Sequence, residues 1–366
     1  MKILYDHQIF SSQAFGGISR YFYELLSRFS ADAEIEFELA LRYSRNSYLA
    51  GADFVAVSSF FGDRRFFGKT TLLNLINGLY SKRGVRRGDF DVFHPTYYNP
   101  YFLPHLRRKP FVVTVYDMVH ELYPEMFAAD DPTREWKREV LRNASRVIAI
   151  SESTKSDLLR FYGVDEAVVK VVHLAGSLGV TTAARPVAGL PDRYLLFVGQ
   201  RRGYKNFAPF ARAVTPLLKG DSGLTVVCAG GGGFSPDERA LFDGLGIAGR
   251  ICQVSVDDDH LVALYRNARA FVYPSLYEGF GIPVLEALAC GCPTVVSDSS
   301  SLPEVGGDAA LYFDPHDELS MRDAISRAIS DASLRGEFRE RGFARARQFS
   351  WDKTARETKA VYEGLL

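Results

Sequence analysis

Cysteine is scarce in this chain: four residues in 366, at positions 228, 252, 290 and 292. None forms a C-x-x-C pair, and four thiols in so long a sequence give no disulfide scaffold, which fits a reducing compartment. No apolar run approaches the roughly 18 residues that a membrane-spanning helix needs. The opening MKILYDHQIF lacks the basic start and longer apolar core of a signal peptide. A cytoplasmic location is therefore expected. Net charge is also missing, because 44 Lys and Arg balance 44 Asp and Glu. A dedicated nucleic-acid binder normally carries a basic excess, so that partner class is set aside.

What is present is a β/α alternation over a length that exceeds one hydrophobic core. Short β-rich apolar runs fit strands at 3–5, 35–41, 92–94, 111–116 and 147–150. Between them, three- and four-residue apolar spacing predicts helices at 18–29, 136–143 and 154–162. Residues 175–192, AGSLGVTTAARPVAGLPD, are rich in small residues, Gly and Pro and read as a linker. Alternation then resumes, with strands at 194–198, 224–229, 250–254, 270–273 and 294–297. Helices are predicted at 207–218, 260–268 and 283–289. The expectation is an α/β protein with two doubly wound, Rossmann-like domains facing a central cleft: residues 1–175, residues 193–349, and a final helix from 350 to 366 that the sequence leaves free to pack on either domain.

The densest chemical signal is Tyr273–Ala287, YPSLYEGFGIPVLEA. Pro283 suits the first position of a helix. The glycine turn before it lets backbone approach a ligand, so the amides around Gly281, Ile282 and Val284 are expected to face an anion. Glu278 and Glu286 flank this turn and are good acceptors for the vicinal hydroxyls of a sugar and a ribose. Helix stabilisation by Glu286 and a solvated Glu278 are the plainer alternative. A second element follows strand 194–198: Arg201, Arg202 and Lys205 cluster where basic side chains can fork onto or charge-pair with phosphate, although a basic loop can also be a solvated turn. Gly16 and Gly17 open the first long helix and can approach a phosphate too. Gly230–Gly233 fails the dinucleotide pattern and reads as a wide turn.

At these residues the chain resembles glycosyltransferase family 4, a retaining family of GT-B architecture. The likeness spans nearly the whole chain through FGGISRYFYEL, YDMVHELYPEMF, AISESTKSDL, EGFGIPVLEALACGCPTVVSD and SSLPEVGGDAALYFDP. It implies retention at the anomeric carbon without a required metal or other cofactor. It implies that Arg201 or Arg202, with Lys205, stabilises the departing nucleoside diphosphate. Glu278 and the Phe280–Ile282 backbone would then meet sugar or phosphate, Glu286 the ribose, and Gly16–Gly17 the phosphate. Two departures stand out: Gln200 occupies a place where relatives often have Arg, and His120 lies three residues past Asp117. His120 is assigned to the donor sugar or its phosphate, with a loop-holding role as the alternative, and His94 is a further candidate. No carboxylate placed for a double displacement is identifiable.

The GYKNF loop is similar to that of polysaccharide mannosyltransferases, which points to GDP-mannose; UDP-sugar donors stay open. The expected acceptor is a glycan or lipid-linked saccharide. Between residues 60 and 110 basic side chains (Arg64, Arg65, Lys69, Lys82 and Arg83 among them) outnumber acidic ones, with Phe60, Phe61, Phe66 and Phe67 interleaved. Such a segment either docks on anionic membrane or consists of core phenylalanines and solvated charges. A nucleotide-sugar epimerase and a catalytically silent nucleotide-sugar binder are the alternatives to transfer.

Overall fold

Several of the short apolar runs, such as Val112–Val115, Ala270–Tyr273 and Thr294–Ser297, are buried at every position instead of alternating. That pattern belongs to strands covered on both faces, as in parallel sheets. The computed structural model describes residues 1–59, 68–179 and 182–366. Phe60–Phe67 and Val180–Thr181, including Phe60, Phe61, Arg64, Arg65, Phe66 and Phe67 of the proposed membrane patch, lie outside the described residues. The chain divides into two units, Met1–Leu174 with Trp351–Leu366, and Ala175–Ser350.

The N-terminal unit holds β1 (Lys2–Tyr5), β2 (Glu36–Leu39), a two-residue pair β3 (Tyr43–Ser44) and β4 (Ser58–Ser59), then β5 (Val92–His94), β6 (Val112–Val115), β7 (Arg146–Ala149) and β8 (Val169–Val171). Parallel ladders run β2-β1-β5 and β6-β7-β8, linked by a parallel bridge between Phe93 and Phe111. The final helix, Trp351–Glu363, belongs to this unit. Asp352 pairs with Arg28 at 2.6 Å and Lys359 with Asp32 at 2.8 Å. At the buried end of that helix, the Tyr362 hydroxyl bonds Tyr5 at 2.8 Å and His94 at 2.6 Å.

The C-terminal unit has β9 (Arg193–Val198), β10 (Leu224–Ala229), β11 (Ile251–Val254), β12 (Ala270–Tyr273), β13 (Thr294–Ser297) and β14 (Leu311–Phe313). All are parallel in the order β11-β10-β9-β12-β13-β14. Helix Phe207–Gly220 covers one face with Phe207, Phe210, Ala211, Val214 and Leu218, a three- and four-residue stripe that is wholly buried. The strand order reverses between β9 and β12, and ligands of such sheets bind beyond the carboxyl ends of the strands at that point.

The linker is not a free tether: it counts with the C-terminal unit, where a Cβ on Gly176 would lie 3.3 Å from Glu286 Cγ and Arg266 donates to the Gly179 and Thr182 carbonyls. Its small residues permit close packing on helix Ile282–Ala289. Helices Lys69–Arg87, Pro236–Leu245, Glu318–Ser330 and Ala332–Ala346 were not anticipated. Ala332–Ala346 buries only Gly342, so it has no apolar stripe to read.

Candidate functional site

The two loops that leave β9 and β12 meet at the reversal point of the C-terminal sheet. After β9, Gly199 turns with φ 120°, and Gly203–Lys205 forms a 3-10 turn ending at Asn206, whose side-chain Nδ2 donates to the Pro315 carbonyl at 2.8 Å. After β12, the Leu276 amide donates to the Tyr204 carbonyl at 2.7 Å, tying the loops together. This brings Lys205 to Glu278: its Nζ donates to Glu278 Oε1 at 2.6 Å and to the Tyr273 hydroxyl at 3.1 Å. The pair is mostly buried, with 15% and 11% of the side chains exposed. Burial, reinforced by the neighbouring Glu278 charge, pushes the Tyr273 phenol well above its ordinary range, so it stays a neutral hydrogen-bonding partner.

Serines hold the acidic loop from beneath. The Glu278 amide donates to Ser300 Oγ at 2.8 Å, and Ser301 Oγ donates to the Glu278 and Phe280 carbonyls, both at 2.9 Å. Gly281 then caps helix Ile282–Ala289 with φ 101°, a left-handed geometry in which a Cβ would lie 2.8 Å from Leu302 Cδ2. Among the described residues the Gly281 and Ile282 amides have no acceptor. The expectation for Val284 is corrected: its amide donates to the Gly281 carbonyl at 2.9 Å, tightening the first turn. Pro283 is the second residue of the helix, not the first. The Phe280 ring is buried against Phe349, so the side chain is not presented to a ligand. Glu286 is buried on the same helix.

Arg201 does not sit where a phosphate would find it, and the expectation for it is corrected. Its Nε donates to Glu238 at 2.7 Å, Nη1 to the Gly230 carbonyl at 2.9 Å, and Nη2 to the Gly232 and Gly233 carbonyls at 2.8 and 3.1 Å. Only 3% of the side chain is exposed. It is the core of the Gly230–Gly233 turn, whose first three residues are left-handed. A Cβ on Gly231 would lie 2.7 Å from Arg201 Nη1. Burial raises the Glu238 carboxyl, but its bonds to Arg201 and the Ser235 amide outweigh that and hold it below the ordinary value. Arg202 beside it is exposed.

In the N-terminal unit Gly16 caps helix Gly17–Phe29 and Gly17 is exposed at its first position. His120 lies in the short helix Val119–Leu122, half-buried and stacked on Phe127 with centroids 3.8 Å apart. Burial, then the Lys137 charge, lowers its pKa, so the ring is neutral at neutral pH and has one donor and one acceptor. His94 is a core residue: its ring bonds Tyr362 and Thr114, and burial alone brings its pKa down to about 3.

A family model described as glycosyl transferases group 1 matches residues 182–345, and one for glycosyltransferase family 4 matches residues 15–175. O-antigen chain mannosyltransferase B of Escherichia coli is 32% identical over 293 residues, covering 74% of each chain. The chain belongs to glycosyltransferase family 4. The serotype-specific mannosyltransferase WbdA of the same organism is 29% identical over 264 residues, covering 67% of this chain and 32% of that larger protein. Among solved structures, sucrose-phosphate synthase from Thermosynechococcus elongatus superposes with a TM-score of 0.77 at 18% identity, covering 100% of this chain and 98% of that one. The Anabaena HepE protein in complex with UDP and glucose gives 0.75 at 17%, covering 99% of both. These likenesses show the fold, two Rossmann-like parallel-sheet domains of GT-B class.

Several parts of this glycosyltransferase's site were not read from sequence. Tyr273 looked like the end of a strand, and Ser300 and Ser301 carried no assigned role. Glu238 was legible only as the fourth residue of Ser-x-x-Glu, which does form a capping box here. Lys137, fully buried, donates to the Asp117 carbonyl and to Glu121, both at 3.0 Å, and so fixes the turn that carries His120. Among the described residues no group of three or more His, Cys, Asp or Glu side chains gathers as a metal site.

Proposed function

We propose that this glycosyltransferase is a retaining hexosyltransferase that moves mannose from GDP-mannose to a glycan or lipid-linked saccharide during surface polysaccharide synthesis. The observation that carries the reading is the Lys205–Glu278–Tyr273 cluster beside the Gly281 and Ile282 amides at the strand-order reversal of the C-terminal sheet. Breaking the anomeric C–O bond places charge on the diphosphate. Lys205 and the two amides are held in place before the reaction and stabilise that charge as it develops, and the exposed Arg202 is free to join them. Glu278 accepts from the sugar hydroxyls and Glu286 from the ribose. These groups supply the leaving-group stabilisation without a metal, so activity should survive EDTA. Retention follows if the acceptor attacks from the face that the diphosphate leaves, giving its proton to the departing oxygen. Assignment of His120, Gly16 and Gly17 to donor contact is part of the same proposal, and His120→Ala tests it. The mannosyltransferase relatives support the choice of sugar.

The acceptor is assigned to a cavity of about 490 Å³ in the N-terminal unit, at the carboxyl ends of β1 and β5, where His7, Gln8, Asn99 and Tyr101 provide polar lining. Leu75 and Leu79 form part of its wall and are 59% and 61% exposed; Leu72 and Tyr80 extend the apolar surface on the same helix, with Arg83 and Arg86 nearby in sequence. This surface suits a lipid-linked acceptor at an anionic membrane. Lys69 is buried and does not contribute to it.

The test is a thermal-shift screen against GDP, UDP, dTDP and their sugars, followed by NMR of the product's anomeric configuration. A shift with GDP and GDP-mannose and an α-linked product are expected. No shift with any nucleotide would sink the donor-site assignment, and an inverted product would sink retention. Sedimentation with phosphatidylglycerol vesicles tests the membrane contact, which Leu75→Glu with Leu79→Glu should abolish.

A further inference from the structure

The amino-terminal end of the C-terminal sheet, opposite the Lys205–Glu278 pair, carries a second basic site. A cavity of about 380 Å³ opens there, lined by Arg266, Arg269, Arg335, Arg339, Asn267 and Asp192 among others. Asp192 directly precedes β9 and Arg269 directly precedes β12, so in a parallel sheet the cavity lies at the amino ends of the strands. The four-residue length of β12 alone separates it from the Glu278 loop by about 13 Å.

Four guanidinium groups share this space with one carboxylate in the lining, and that carboxylate is exposed. Arg266 is engaged with the carbonyls of Gly179 and Thr182, and Arg335 donates one bond to the Ile329 carbonyl at 2.8 Å. Among the described residues Arg269 and Arg339 pair with no carboxylate. The Arg339 guanidinium instead lies 5.6 Å from the Phe343 ring centroid. Gly291 has φ 71°, and a Cβ there would sit 2.7 Å from Phe343 Cζ and 3.1 Å from Arg339 Nε, so a side-chain-free residue lets the arginine close over the loop. Like charges gathered this way repel unless a counter-ion joins them. The planar forks of guanidinium groups match tetrahedral phosphate oxygens.

We propose that this cavity is a second anion site, distinct from the donor site, that takes a phosphate-bearing ligand: either a free polyphosphate group or the headgroup of an anionic lipid. Arg269 and Arg339 hold its oxygens, Arg335 adds charge, and Asp192 opposes binding by repulsion.

Isothermal titration of the full chain with inorganic pyrophosphate tests this, using Lys205→Ala to weaken the donor site. Saturable binding should persist in Lys205→Ala and weaken by about tenfold or more in the Arg269→Gln/Arg339→Gln double variant, the scale of losing charge-assisted bonds. Asp192→Asn should tighten binding, an effect of opposite sign that a damaged fold would not produce; ligand-free melting curves of each variant accompany the titrations. Sedimentation with phosphatidylglycerol vesicles, in a Leu75→Glu/Leu79→Glu background so that the N-terminal unit's surface does not contribute, separates the sources. Retention by vesicles that the double variant loses identifies a lipid headgroup, whereas pyrophosphate binding without vesicle binding identifies a soluble ligand. Affinity within about twofold of the parent in the double variant, or no saturable binding by the parent, would overturn the proposal.

Discussion

Replacing Glu278 by Gln should have opposite effects on bare nucleotide and on turnover. Glu278 holds Lys205 at 2.6 Å, so on the proposed reading it competes with a donor phosphate for that cation. Unit charges about 4 Å apart attract by about 1 kcal/mol in water and about 4 kcal/mol at an effective dielectric near 20. The 15% and 11% exposures place this pair between those limits, and screening by the open side of the site argues for about 1–2 kcal/mol. Glu278→Gln preserves side-chain size but removes that competitor, so GDP or UDP without sugar should bind roughly 5- to 30-fold more tightly. The sugar meanwhile loses a charged acceptor, and turnover should fall about 10- to 150-fold. Titration calorimetry with the bare nucleotide, repeated at high salt where the gain should shrink, and a coupled assay of nucleotide release measure the two effects. Unchanged or weaker affinity for the bare nucleotide would refute the competition, and unchanged turnover would refute the sugar contact.

Arg201→Ala should destabilise the chain by about 3–5 kcal/mol in urea unfolding, because it strands a largely buried Glu238, whereas Arg202→Ala should leave stability within about 0.5 kcal/mol and lower kcat/KM. Gly281→Ala should cost about 1–3 kcal/mol and most activity, since φ 101° and the 2.8 Å approach to Leu302 both disfavour a Cβ; normal melting and turnover would contradict the cap geometry. His94 makes the N-terminal unit acid-sensitive. Its folded-state pKa of about 3 lies below the usual 6.5, so its neutral form stabilises the fold fully above about pH 6.5, and that contribution is lost as pH falls toward 3. This group alone accounts for about 2 kcal/mol between neutral pH and about pH 5, a slope that urea titrations should find reduced in His94→Gln.

Features that occupy contiguous sequence were the ones legible in it. Strands 92–94, 224–229, 270–273 and 294–297 coincide with β5, β10, β12 and β13 because their apolar runs are short, unbroken and bounded by turn residues. The Glu278–Glu286 segment was readable for the same reason: turn, cap and helix follow one another along the chain. Partnerships formed at a distance were not. Nothing local tells Arg201, which goes to Glu238, from Arg202, which stays exposed; the difference is made by β10 delivering three glycine carbonyls beside β9. The Val284 amide was misread because a residue-by-residue view of a helix start cannot see that Gly281, in a left-handed conformation, turns its own carbonyl back onto the third helical residue. Lys137 carries no signal of its own within the helix predicted at 136–143, and its burial becomes visible only when Asp117 and Glu121 are brought to it.

The hydroxyl of Tyr362 joins Tyr5 and His94 across 357 and 268 residues of chain. A ribosome therefore delivers one face of the first sheet long before the helix that seals it, with an entire second unit synthesised in between. The contiguous unit can mature on emergence; the interrupted one must wait, with its tyrosine-lined seam open to chaperones and proteases, until Tyr362 has been made. Loss of helix Trp351–Glu363 should therefore do more damage to residues Met1–Leu174 than to Ala175–Ser350.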